Sequence, residues 1–280
     1  MSLRMEFLIN YSCTQDCVFC MESSRMKEFV EFPVTVAEIV RVLAAQRRRG
    51  VEFVSFCGAG EPTLHAQLAD TLRAAKKLGL KTEVISNGSR LSEPEYARRI
   101  LPWVDLLWLS LHGHEADLHD RLTGESGSFS KLRRAFALAR RQRGLILGSV
   151  TVVTEANCGS VRDIMRLALR EGARACQLTH VVPSGIAAKR YAQLAVPHSW
   201  WRRNLPGLVD LARDRRARLL CASVPLCALG RHWRRSREMN LGHTVSVERT
   251  WAEGRPVLRV DDLLPKADAA SRRRMPRGCQ

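Results

Sequence analysis

The sequence predicts an α/β fold: a partial, TIM-like (β/α)6 barrel followed by a short irregular C-terminal extension. Apolar runs of strand length alternate with amphipathic stretches of helical length, the pattern of βα units around a parallel sheet. Six such units can be read, short of the eight that close a barrel, so the sheet should stay open. The polar and glycine-rich segments follow strands, at the end of a βα array where active sites gather.

Met5 to Ile9 reads as the first strand, then a cysteine-rich loop and a helix from Thr35 to Arg49. Val51 to Phe56 forms the second strand and His65 to Leu78 a helix. Leu80 to Ser86 is the third strand, stopped by the turn pair Asn87-Gly88. Ser92, with Glu95 three residues on, reads as a capping box opening a helix to Ile100. Leu106 to Leu111, Leu147 to Val153 and Ala175 to Val182 complete the strands, and Ser128 to Arg143 and Ser160 to Glu171 supply helices around the fifth. Beyond Pro197 one helix, Trp200 to Arg216, precedes an irregular stretch with short strands at Thr244 to Val247 and Pro256 to Val260. We therefore expect a core domain over residues 1–197 and a substrate-related or capping extension over 198–280.

No apolar run nears the roughly 20 residues that span a bilayer, and Met1-Ser2-Leu3-Arg4 opens no signal-like segment, so a soluble, cytoplasmic protein without membrane partners is expected. The net charge of +17 is largely arginine, concentrated at Arg47 to Arg49, Arg215-Arg216, Arg234-Arg235 and Arg272 to Arg274. It suits an anionic or extended partner, or merely a solvated surface. Nucleic acid is not favoured, since neither a helix-turn-helix nor interleaved aromatics accompany the charge.

Of nine cysteines, Cys13, Cys17 and Cys20 crowd one loop with spacing C-x3-C-x2-C, and Phe19 precedes the last. In a reducing compartment such crowding favours metal over disulfides. A structural zinc site would want four protein ligands, and neither histidine nor cysteine follows within about thirty residues. Three thiolates suit an iron–sulfur cluster with one iron left open.

This loop, placed directly after a first strand, resembles that of the radical S-adenosylmethionine (SAM) superfamily. The resemblance covers roughly residues 5–190 and implies a [4Fe-4S] cluster held by Cys13, Cys17 and Cys20, with SAM chelated at the open iron. It further implies reductive cleavage of SAM to a 5′-deoxyadenosyl radical, which abstracts hydrogen from substrate, and an electron donor such as flavodoxin or ferredoxin. Phe19 and the segment Gly58, Ala59, Gly60 and Glu61, similar to the family's G-x-G-E-P, are implied to contact SAM. So are Ser86 and Asn87 after the third strand, and Ser110 and His112 at the end of the fourth, which alternation turns to one face.

Other matches are weaker. His119-Asp120-Arg121-Leu122-Thr123-Gly124 is similar to a loop of many relatives, with capping and packing as the competing role. Thr154, Asn157 and the stretch Val181 to Gly185 carry no assigned role. Cys221, Cys227 and Cys279 leave open an auxiliary cluster, while Cys57, Cys158 and Cys176 read as ordinary buried thiols. No further catalytic side chain is singled out. The expected substrate is a peptide or specialised metabolite, with Arg234, Arg235 and Arg272 to Arg274 expected to guide an anionic one; RNA or a nucleotide is the alternative. A non-catalytic iron–sulfur sensor or nucleic-acid-binding protein is the reading from another class.

Overall fold

The alternating pattern folds into one open sheet. The computed structural model describes residues 3–240 and 244–263. Its strands are β1 (Leu3–Leu8), β2 (Val51–Cys57), β3 (Lys81–Ser86), β4 (Leu106–Ser110), β5 (Ile146–Val153), β6 (Ala175–His180), β7 (Arg218–Ala222), β8 (Thr244–Ala252) and β9 (Arg255–Leu263). Their order is β7-β6-β5-β4-β3-β2-β1-β8-β9, so sequential strands from β1 to β7 are neighbours and the two edges never meet. All pairings are parallel except the terminal β8–β9 hairpin. Among the described residues no helix is long and apolar enough to cross a membrane.

The six predicted strands are all present. The short strands expected at Thr244 to Val247 and Pro256 to Val260 are present and longer, as β8 and β9 at one edge, and β7, which was not expected, forms the other edge. β7 is only five residues long and emerges from the arginine-rich end of the helix His198–Asp214, which hides its apolar core in the pattern. β8 and β9 join through Glu253 and Gly254, both at positive φ, the two-residue turn whose twist matches paired strands. Ser92 does not cap the helix that follows it, Pro94–Ile100. Pro94 fixes that helix's first turn, leaving Ser92 in the preceding 3-10 turn, where its hydroxyl donates to Ser89 O. A capping box forms instead at Thr35 and Glu38.

The strand period of two divides the sheet into two faces. Met5, Phe7, Val54, Phe56, Val84 and Leu109 share the main core with Leu43, Leu72 and Phe136 of the surrounding helices. Glu6, Ser55 and Glu83 alternate with these and lie in one register row on the inner face. Ser55 Oγ donates to Glu83 at 2.8 Å, and Arg4 pairs with Glu83 at 3.2 Å. Arg237, from the segment after β7, reaches Glu6 at 3.1 Å and lies 3.9 Å from Glu83. The C-terminal part thus sends one arginine into the hollow of the sheet, where paired carboxylates offset its burial.

A second arginine fastens β8 to the front of the sheet. Buried Arg249 pairs through both terminal nitrogens with Glu38 at 2.8 Å and donates to Phe32 O and Pro33 O. Its backbone N–H donates to the Tyr11 hydroxyl at 2.6 Å. Burial acts to raise the Glu38 carboxyl, but Arg249 and Thr35 outweigh it and bring it down to about 2. We expect Arg249→Ala to cost about 3 kcal/mol in urea unfolding, because it strands Glu38 and two carbonyls. A lowered carboxyl stabilises the fold above its unfolded value and loses that contribution as pH falls through the folded one. The penalty of Arg249→Ala should therefore shrink between about pH 4.5 and 2, and an equal penalty at both ends would show that the ion pair is not its source.

Candidate active site at the carboxyl ends of the strands

The loop after β1 carries Cys13, Cys17 and Cys20 and is held mainly by backbone. Asp16 N–H and Val18 N–H donate to Thr123 O and Leu122 O, at the end of the helix Ala116–Thr123. Gly124, at φ +67°, lets the two chains approach: a Cβ there would stand 2.6 Å from Asp16 O. Asp120 caps the next helix, accepting from Gly127 N, Ser128 Oγ and Phe129 N. The stretch from His119 to Gly124 thus packs and caps.

The glycine-rich loop after β2 clamps the other side. Gly60 N–H donates to Asn10 O at 3.0 Å and Glu61 N–H to Ser12 O at 2.7 Å, while the Asn10 amide donates to Ser12 O and Glu61 O. A Cβ at Gly60 would sit 2.1 Å from Ser12 O, so glycine is required by the approach of the cysteine loop itself. Gly60→Val should accordingly displace the cysteine loop, lowering iron content and SAM affinity together. Normal iron with a selective loss of SAM binding, measured by calorimetry, would place the effect on the ligand instead.

Glu61 is 2% exposed and does not face solvent. Its carboxylate accepts from Thr63 N, Thr63 Oγ1, Ser86 Oγ and Asn87 N, at 2.6–3.0 Å. Burial still pushes its carboxyl above the ordinary range, against the pull of those donors. Asn87 in turn donates to Thr14 Oγ1 at 3.0 Å and stands 3.8 Å from Cys13 Sγ, and Thr14 is 3.0 Å from Ser89 Oγ. Glu61, Ser86 and Asn87 therefore stitch the ends of β2 and β3 to the cysteine loop. Ala59 is buried within this clamp.

Ser110 ends β4 and alternates with Leu109 of the main core, which puts it on the inner face with Trp108. His112, two residues on, is 4% exposed, and its Nδ1 accepts from Val152 N at 3.2 Å, which leaves the hydrogen on Nε2. Burial, helped by His119, holds its pKa well below the usual histidine value, so the ring is neutral. Phe19, 8% exposed, meets it edge to face with centroids 4.6 Å apart. Asn157 holds His112 O and Val152 O through its amide. The structure thus brings all the implied residues to one end of the sheet. Sequence reasoning missed Asn10, Ser12 and Thr14, whose only signal was adjacency to the first cysteine.

Among the described residues, no three His, Cys, Asp or Glu side chains are grouped to hold a single metal ion. An iron–sulfur cubane makes a different demand, since each thiolate binds a separate iron and the sulfurs stand further apart than around one ion. Burial raises the thiol of Cys13 to about 11 and raises those of Cys17 and Cys20. Cys17 is raised further by Cys13 and Cys20, and Cys13 by Glu61 and Cys20. These sulfurs are close enough to repel as thiolates, and bound iron would provide the positive charge they lack, so the donor set fits a cluster. Cys221 is buried in the main core on β7; Cys279 and Arg272 to Arg274 lie outside the described residues.

The fold and site define an α/β protein whose open parallel sheet carries a clamped three-cysteine loop at its carboxyl end. Residues 8–168 match the model of the radical SAM superfamily, and the chain belongs to that superfamily. Enzymes of this superfamily use a [4Fe-4S] cluster and SAM. The chain is 27% identical over 190 residues to the AdoMet-dependent heme synthase of Oleidesulfovibrio alaskensis, covering 67% of this chain and 48% of that protein. It is 29% identical over 207 residues to the PqqA peptide cyclase of Rhodopseudomonas palustris, covering 74% and 54%. The chain thus spans about half the length of these relatives. In fold it is similar to Streptococcus suis SuiB bound to the precursor peptide SuiA, with TM-score 0.63, 17% identity, and 81% of this chain and 51% of that one covered. It is likewise similar to anSMEcpe with bound AdoMet and Cp18Cys peptide, with TM-score 0.61, 16% identity, and 78% and 63% covered.

Proposed function

We propose that Cys13, Cys17 and Cys20 hold the [4Fe-4S] cluster and that the chain modifies a peptide by hydrogen abstraction. The carrying observation is the double clamp on the cysteine loop, by Gly60, Glu61 and Asn10 on one side and Thr123 and Gly124 on the other. When bound and reduced, the cluster supplies the electron that splits SAM into methionine and a 5′-deoxyadenosyl radical. The chain's own residues orient and shield. The N–H groups of Gly60 and Glu61 are engaged with Asn10 and Ser12, so carbonyl oxygens of the Gly58 to Gly60 loop are left to receive the SAM amino group, itself a donor. Ser110, on the inner face, and the neutral His112 with Phe19 line the side on which the polar and aromatic parts of SAM would lie. Glu61, Ser86 and Asn87 act one step removed, by positioning Thr14 and Cys13.

A peptide substrate is supported by the similarity to a peptide cyclase and to two structures solved with peptides. An electron donor such as flavodoxin or ferredoxin would complete the system. The test is incubation of the reduced, reconstituted protein with SAM and with candidate peptides encoded beside its gene, followed by mass spectrometry. We expect 5′-deoxyadenosine to form and a peptide to change mass. SAM cleavage that alters only a non-peptide substrate would overturn the peptide assignment and leave the radical chemistry standing.

A further inference from the structure

β6 ends at His180, on the face that packs against helices, and beside it opens a cleft of about 340 Å³. Tyr191, from the short helix Tyr191–Leu194, and His198, opening the helix His198–Asp214, form its polar lining; Ala195 and Val196 form an apolar wall. None of these residues belongs to the cysteine loop or its clamps.

The hydrogen bonds around His180 have only one consistent direction. Trp201 Nε1 lies 3.2 Å from His180 Nδ1, and an indole N–H can only donate, so Nδ1 is the acceptor. The ring is then neutral with its hydrogen on Nε2, in keeping with a pKa lowered by burial and by neighbouring His198. Nε2 lies 3.2 Å from the Tyr191 hydroxyl and must donate to it. The tyrosine oxygen is thereby an acceptor toward His180, and its own hydrogen must point elsewhere. No acceptor for it is found among the hydrogen bonds of the described residues.

We infer that this cleft is a recognition pocket for a carboxylate carried by the substrate, with the Tyr191 hydroxyl as its directed donor. The relay from Trp201 through His180 fixes the donor's direction before a ligand arrives, which lowers the ordering cost of binding. The lining carries no carboxylate, and Lys189 and Arg190 immediately precede Tyr191 on a chain of net charge +17, so an anion is favoured over an amine. The alanine and valine wall suits the short apolar stem of an acidic side chain. The helix that carries Tyr191 links the pocket to the cysteine loop: its Leu194, which does not line the pocket, packs on the group formed by Phe19, Leu118 and Leu122, which Cys17 and Val18 also touch. Glu155 N–H fixes that helix through Leu194 O at 3.0 Å. A carboxylate seated here would anchor a substrate beside the cysteine loop.

The inference rests on the peptide reading for the identity of the carboxylate's carrier, and the experiment separates the two. Calorimetry on the cluster-loaded protein would use N-acetylglutamate α-methylamide, its glutamine and lysine counterparts, and N-acetylalanine, which presents a terminal carboxylate. We expect the glutamate or the terminal-carboxylate probe to bind and the glutamine and lysine probes to bind at least tenfold more weakly. Whichever carboxylate binds tighter tells a side chain from a chain end. Tyr191→Phe keeps the ring and removes the hydroxyl, which is both the donor to the ligand and the acceptor from His180 Nε2. It should weaken the favoured probe about tenfold, the scale of a hydrogen bond to a charged group, and leave substrate-free SAM cleavage unchanged. Equal binding of all probes, no binding of either carboxylate, an unaffected Tyr191→Phe, or displacement of the probe by 5′-deoxyadenosine would each overturn the pocket. A chain that binds the glutamate probe yet transforms only non-peptides would overturn the peptide reading alone.

Discussion

Replacing Cys13, Cys17 and Cys20 together by alanine is expected to reduce iron and sulfide to background after anaerobic reconstitution and to abolish SAM cleavage. The loop carrying them is fixed by backbone bonds from Asp16 and Val18 to Thr123 and Leu122, and by those from Gly60 and Glu61 to Asn10 and Ser12. None of these uses a thiol, so the variant should keep its secondary structure and unfold cooperatively. That separation makes the result readable, since cluster loss without unfolding assigns the thiols as ligands. Cys13 is exposed and Cys17 and Cys20 are half-buried, so alanine there opens no core cavity and the apo protein should lose little stability. Undiminished iron in the folded variant, or stoichiometric zinc in the wild type, would overturn the assignment.

The path from sequence to this site was legible where the signal is local. Strand-length apolar runs marked β1 to β6, and the three-cysteine spacing after β1 marked the loop, because both depend on residues a few positions apart. The buried polar contacts are of another kind. Glu6, Ser55, Glu83 and Arg237 meet from four distant segments, and in an alternating strand pattern Glu6 and Glu83 read as solvent-facing. The partner that makes their burial tolerable lies far along the chain, in a stretch with little periodicity of its own. The relay of Trp201, His180 and Tyr191 escaped notice for the same reason.

Motif resemblance singles out positions along the chain and leaves open what their side chains touch. Gly60 was expected to admit a ligand, whereas its missing Cβ admits Ser12 of the cysteine loop. Ser86 and Asn87 were expected to reach SAM, and their hydrogen bonds run to Glu61, Thr14 and Ser89. A motif fixes a position at the strand ends, and the surrounding hydrogen bonds then decide whether that position binds the cofactor or holds the residue that does. Four accepted hydrogen bonds make Glu61 the hub of the clamp.

Glu61→Ala is accordingly expected to damage the protein more than loss of a single ligand contact would. It strands the amides of Thr63 and Asn87 and the hydroxyls of Thr63 and Ser86, all aimed at a site 2% exposed. Removing one partner from such a buried, charge-assisted network costs about 3–5 kcal/mol, a large share of a domain's net stability. The damage should also spread in a defined direction. Without the carboxylate, Asn87 loses the anchor of its backbone, its amide releases Thr14 Oγ1, and the Cys13 end of the loop loosens. Glu61→Gln keeps one acceptor and turns an amide donor against the donors that used the other oxygen, so it should recover only part of the stability. We expect the order wild type, Glu61→Gln, Glu61→Ala in urea midpoint and also in iron retained after gel filtration. Thr14→Ala, which cuts the link downstream of Glu61, should lower iron retention with little change in urea midpoint. Iron retention unchanged in both Thr14→Ala and a still-folded Glu61→Gln would mean that the clamp supports the fold and not the cluster.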